Sequence, residues 1–174
     1  MAFAFVLSGL GLSACGGTDE TSSSSTAATA SVPSGPLSAK QLASEADSLC
    51  TTANEQLQDG ATPPDFGKDG PQPDELEASA DYFQASADGQ QELFAQLSQL
   101  QPAPDVADDW HAFLKSYETS VVEDASSLAE QAAAGDPDKF FSIALDNQAQ
   151  LQDLARMSAD LGMKVCAASD TTAG

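Results

Sequence analysis

Residues 105–162 read DVADDWHAFLKSYETSVVEDASSLAEQAAAGDPDKFFSIALDNQAQLQDLARMSADLG, and the corner inside this stretch decides the fold class. At Gly135-Asp136-Pro137 a glycine able to take a left-handed backbone is followed by a helix-capping aspartate and a proline suited to a first helical turn. That order predicts one helix ending and another starting with almost no connection between them. Before the corner, Val106, Trp110, Phe113, Tyr117, Val121, Ala125, Leu128 and Ala132 recur at steps of three and four, one helical face from about Asp105 to Ala134. After it, Phe140, Ile143, Ala144, Leu151, Leu154, Ala155 and Leu161 form a second face, which Gly162 ends. Helices joined so tightly are expected to lie side by side in opposite senses.

Toward the N-terminus the same pattern repeats. Gln101-Pro102-Ala103-Pro104 stops a preceding helix that starts near Asp74 and carries Leu76, Ala80, Phe83, Ala87, Phe94 and Leu97 on one stripe. Gly89 interrupts that stripe at a modest cost. A Pro/Gly-rich loop, GATPPDFGKDGPQP at 60–73, separates it from a first helix beginning at Ser38, with Gln41 placed as its capping-box partner. Leu42, Ala46, Leu49, Cys50, Ala53 and Leu57 make the inward face of this first helix. No run alternates as a strand would. The expected fold is all-α: an antiparallel four-helix bundle over residues 38–168, with 169–174 a disordered tail.

The residues ahead of Ser38 concern location. Met1 to Leu12 (MAFAFVLSGLGL) is apolar and uncharged, and shorter than the roughly 20 residues a spanning helix needs. It fits the apolar core of a secretion signal over 1–14. Leu12-Ser13-Ala14-Cys15, followed by Gly16 and Gly17, looks like the bacterial lipobox, in which the cysteine is lipidated on sulfur and becomes the mature N-terminus. No Lys or Arg precedes the apolar core, so the expected start codon lies upstream of Met1. Residues 15–37 are rich in Ser, Thr, Ala and Gly and read as a disordered, lipid-anchored linker with a reach of roughly 25 Å. With Cys15 assigned to lipid, the remaining cysteines of the three are Cys50 and Cys166, an even pair that an exported protein can keep as a disulfide. An antiparallel bundle sets its first and last helices side by side, which makes that bridge geometrically reasonable.

Charge excludes one class of partner. The 174 residues hold 27 Asp and Glu against 6 Lys and Arg, a formal net charge of -21. Such a surface repels phosphate backbones, so no nucleic-acid partner is expected, and the acidity reads as a solvated surface. The candidate chemical groups give way to simpler readings. His111, the single histidine, follows Asp108 by three residues, but a ferritin-like di-iron centre needs two such motifs. It also sits about 100° around the helix from Trp110. Asp65, Asp69 and Gly70 would fill the first, fifth and sixth positions of an EF-hand loop, yet the third is Gly67 and the twelfth Leu76. Asp74-Glu75-Glu77 and Asp105-Asp108-Asp109 fall at helix starts, where negative charge complements the macrodipole. Asn54, Asn147 and Gln148 lie on or near the inward faces, and are read as setting helix register rather than lining a ligand cleft. No catalytic residue, metal ligand or cofactor is assigned.

Several patterns together carry a family resemblance: Ala46-Asp47-x-x-Cys50-x-x-Ala53-Asn54, Leu97-x-x-Leu100-x-Pro102-x-Pro104, Trp110-x-x-Phe113-Leu114 and Leu161-Gly162-x-x-Val165-Cys166. With the leader, the chain resembles the small helical lipoproteins of actinobacteria, whose function is uncharacterised. The resemblance covers roughly residues 40–168 and the leader. It implies a cell-envelope location and a bridge from the first helix to the C-terminal end, and brings no activity. The expectation is a surface lipoprotein anchored to the membrane through Cys15, a non-enzymatic module that binds an envelope protein or a small molecule. The alternative is a substrate- or cation-binding lipoprotein serving a transporter.

Overall fold

The computed structural model describes residues 35–60, 62–67 and 70–166. Cys15, the signal segment, most of the expected linker and the expected tail lie outside these residues. Helices dominate the described chain and no strand forms in it. They are α1 (Ala39–Gly60), α2 (Pro73–Ala78), α3 (Ala80–Leu97), α4 (Ala107–Tyr117), a π-helical turn (Glu118–Glu123), α5 (Asp124–Ala133), α6 (Pro137–Asp146) and α7 (Gln148–Asp160).

The corner forms as its residues dictate. Gly135 takes φ +60, and the Gly135 and Asp136 amides close onto Ala132 and Gln131 carbonyls, which satisfies groups that the end of α5 would leave orphaned. Asp136 Oδ1 accepts the Lys139 amide at 3.1 Å and Pro137 occupies the first turn of α6. A Cβ at Gly135 would approach the Pro73 carbonyl to 3.2 Å and Glu77 Oε1 to 2.8 Å, because α2 abuts this corner.

Three expected helices are each interrupted where the sequence pattern alone runs on. The second breaks at Ser79 rather than yielding at Gly89, which sits inside continuous α3. Ser79 Oγ donates to the carbonyls of Glu75 and Leu76, which also accept the Ser79 amide, and Ser79 at φ -100 and ψ 4 departs from helical geometry. The third helix contains the π-helical turn. Phe113, Tyr117, Val121 and Ala125 step by four, which drifts about 40° per step on a regular helix. The wider π turn absorbs that drift and keeps Tyr117, Ser120 and Ala129 buried. The fourth helix divides at Asn147. The backbone bonds run on through it, from the Asn147 amide to Ile143 O and from the Leu151 amide to Asn147 O. Phe140, Asn147 and Leu154 are buried, while Ala144, expected inside, is exposed along with Phe141 and Leu145.

Two apolar clusters sit along the helices. The larger joins Leu42, Ala46 and Cys50 of α1 to Leu97, Trp110, Phe113, Tyr117 and Leu154. Burial of the aromatic residues drives it: Trp110 stacks on Phe113 with ring centres 5.2 Å apart, and both are almost wholly buried. The smaller holds Leu76, Ala132 and Phe140, with Phe66 and Phe83 packed against them. Phe83 meets Phe140 edge-on at 4.9 Å, tying α3 to α6. Helix α1 packs on α3, α3 on α5, α5 on α6 and α7 on α4.

Leu37 packs into this assembly. Its amide donates to Gln101 O at 2.6 Å and its carbonyl accepts from Ala103 at 2.8 Å, while its side chain is buried. The Pro-rich link between α3 and α4 thus receives the start of the domain.

Candidate functional site

The most closely built polar arrangement lies where the C-terminal end returns to α1. Gly162, at φ +81, reverses the chain after α7, with the Met163 amide on Ser158 O and the Gly162 amide on Ala159 O. Met163 is buried, and the next three residues lie against α1. There the Asp47 carboxylate accepts three successive backbone amides. Oδ1 takes Lys164 at 2.9 Å, Val165 at 2.8 Å and Cys166 at 3.3 Å, and Oδ2 also takes Lys164 at 2.9 Å. These are charge-assisted bonds to amides that no helix or strand would otherwise satisfy. One helical turn on, Cys50 forms the disulfide with Cys166, their Cα atoms 5.5 Å apart. The expected pairing is present, and it is the segment after α7 that carries the bridge to α1. Asp47 was legible only as part of a recurring pattern; its role depends on a partner 117 residues away.

A second polar group surrounds the π-helical turn. Asn147 Nδ2 donates to the Ser120 carbonyl at 2.8 Å, and Ser120 Oγ to Gln150 Oε1 at 3.1 Å. Asn147 and Ser120 are buried, and Asn147 Oδ1 has no protein partner. Asn147 therefore pins the α6–α7 break to the π turn, as a register-setting residue would. Asn54 and Gln148 do not share that environment; both are exposed. Nearby, Tyr117 Oη donates to Gln90 Oε1 at 2.5 Å, and burial pushes the phenol pKa well above its usual value.

The remaining candidates are dispersed. His111 and Asp108 are exposed on α4. Asp65 Oδ1 caps its own loop by accepting the Gly67 amide at 3.0 Å, and Glu75 Oε2 accepts the Gln72 amide at the start of α2. Asp69 lies outside the described residues. Among the described residues no group of three or more His, Cys, Asp or Glu is disposed to hold a metal ion. Asp136 is held below the usual carboxylate range, first by the Lys139 amide and then by its ammonium, which lies 3.0 Å away. Asp124 is raised by burial and then by Glu123.

Two shallow clefts lie between helices of the described chain. One of about 140 Å3 lies between α1 and α3, lined by Ala53, Asn54, Leu57, Gly60, Ser86 and Gly89 among others. Another of about 100 Å3 lies between α4 and α7, bounded by Asp109, Ala112, Met157 and Asp160. Ligand pockets for small molecules are usually several times larger, roughly 300–1,000 Å3. The outer face of α6 exposes Phe141 (42%) and Leu145 (64%), one turn apart. No described helix is long and apolar enough to cross a membrane. No family model, no curated protein and no solved structure matches the chain.

Proposed function

We propose that the protein is a bacterial cell-surface lipoprotein, held at the outer face of the membrane by lipid on Cys15, whose helical domain is a non-enzymatic binding or envelope-interaction module. Leu12-Ser13-Ala14-Cys15, placed directly after an apolar run and before a Ser/Thr-rich stretch, carries this reading. A disulfide in the domain agrees with export to an oxidising compartment. The same reading takes the helices as four antiparallel arms: α1, α2 with α3, α4 through the π turn to α5, and α6 with α7. It is supported by the contact of Leu37 with Gln101 at one end of α1, and by Gly60, at the other end, lining the same cleft as Ala85 and Gly89 of α3. The small clefts favour a partner met across a surface over an enclosed small molecule.

The test expresses the chain behind a basic signal n-region in a bacterium with lipoprotein processing. The parent should partition into the detergent phase with a diacylglyceryl group on Cys15, while Cys15→Ala remains an uncleaved precursor. Normal processing and release of Cys15→Ala would refute the anchor. Proximity labelling in the native envelope then identifies the partner, and recovery of cytoplasmic neighbours alone would refute the location.

A further inference from the structure

The carboxylate of Asp47 and the sulfur of Cys50 stand one turn apart on the same face of α1, and both meet the segment 164–166. The contacts to Asp47 involve only backbone amides, so none of them requires the sulfur–sulfur bond. Cys166 Sγ also lies 3.3 Å from the Ala46 carbonyl, an acceptor for its thiol when the pair is reduced. Met163, just before the segment, is buried in the same cluster as Leu42, Ala43 and Ala46 of α1, independently of the sulfurs.

We propose that Asp47 is a positioning residue for disulfide formation: it holds residues 164–166 on α1 in the dithiol protein, and so delivers Cys166 to Cys50 before the bond exists. The oxidant is a low-molecular-weight disulfide or the disulfide of an oxidoreductase. Cys166 is the less buried of the two cysteines, and its thiolate attacks one oxidant sulfur, forming a mixed disulfide and expelling one thiolate. The Cys50 thiolate then attacks Cys166 Sγ, the mixed bond breaks, and a second thiolate leaves. The two cysteine protons end on the two released thiols, so one oxidant disulfide is reduced for each protein disulfide formed. Closure depends on the fraction of dithiol chains in which the segment is already docked. An undocked segment leaves Cys166 searching the volume that its tether to α7 allows, whereas Asp47 keeps it within bonding reach.

Equilibration of the full chain in mixtures of reduced and oxidised glutathione tests this, with Cys15→Ala present so that only Cys50 and Cys166 exchange. Asp47→Asn should lower the ratio of disulfide to dithiol protein about tenfold or more in native buffer, the scale of losing charged hydrogen bonds. In strong denaturant the ratio should match the parent, since no docked segment exists there. An unchanged native ratio would overturn the proposal. A second measurement does not depend on Asp47→Asn folding. In the Cys50→Ser/Cys166→Ser protein, the amides of residues 164–166 should exchange slowly with deuterium. Rapid exchange there, with Asp47 intact and the helices folded, would equally overturn it.

Discussion

Reducing the Cys50–Cys166 bond should lower stability by about 4–5 kcal/mol, nearly all through the unfolded chain. The bridge spans a sequence separation of 116, so it ties almost the whole helical domain into one loop. In the chain-entropy relation a loop of that length removes about 16 cal/mol/K from the unfolded ensemble, close to 5 kcal/mol at 25 °C. The folded side should change little on reduction, because the bonds from Asp47 to the amides of 164–166 and the burial of Met163 do not involve the sulfurs. For a domain of this size each kcal/mol moves the melting temperature about 3–4 °C, so the reduced protein should melt about 12–20 °C lower. Its urea m-value should also rise, since an uncrosslinked chain exposes more surface. Calorimetry and urea titration with and without a phosphine reductant measure both, at constant ionic strength because the -21 charge makes stability salt-dependent. A fall of less than about 1 kcal/mol with unchanged m-value would refute the loop-entropy account.

Tyr117 sets an alkaline limit. Its folded pKa is raised by burial, so the neutral phenol is favoured in the fold; that stabilisation is complete below about pH 10 and declines as pH rises above it. Urea midpoints should fall more steeply between pH 9 and 11 in the parent than in Tyr117→Phe, and equal slopes would assign the alkaline loss to other groups. The phenylalanine variant should itself cost about 1 kcal/mol at neutral pH, through the lost bond to Gln90. Asn147→Ala should cost about 1–3 kcal/mol, because the buried Ser120 carbonyl loses its side-chain donor and the space is left unfilled. A neutral Asn147→Ala in the same denaturation assay would show that the π turn satisfies its own carbonyls.

What was legible in the sequence is what neighbouring residues control. Gly135-Asp136-Pro137 forms its corner because a left-handed glycine, a side-chain acceptor and a fixed φ act within four residues. Gln41 reaches the Ser38 amide for the same reason. Helical periodicity exposed the inward faces, from Leu42 through Trp110 to Leu154, and parity of the cysteines pointed to Cys50 with Cys166. The lipobox-like run Leu12-Ser13-Ala14-Cys15 is likewise a local signal, and the proposed location rests on it.

Only the tertiary structure decided the interruptions and what they touch. Helix propensity is weak per residue, and it does not mark the divisions at Ser79 and Asn147 or the π turn at Glu118–Glu123. The steps of four from Phe113 to Ala125 held a signal for the π turn, but the Ser120 carbonyl that Asn147 binds is not predictable from either local pattern. Phe141, Ala144 and Leu145 lie off the face of α6 that carries buried Phe140 and Asn147, and the packing of α6 on α5 decides which of these neighbouring apolar faces turns inward. Asp47 is the sharpest case. Its sequence neighbours describe an ordinary solvent-facing acid on a helix, and its role arises because the folded chain brings three amides from its far end within about 3 Å. Local rules govern which segments become helices; long-range packing chooses the partners that give single residues their work.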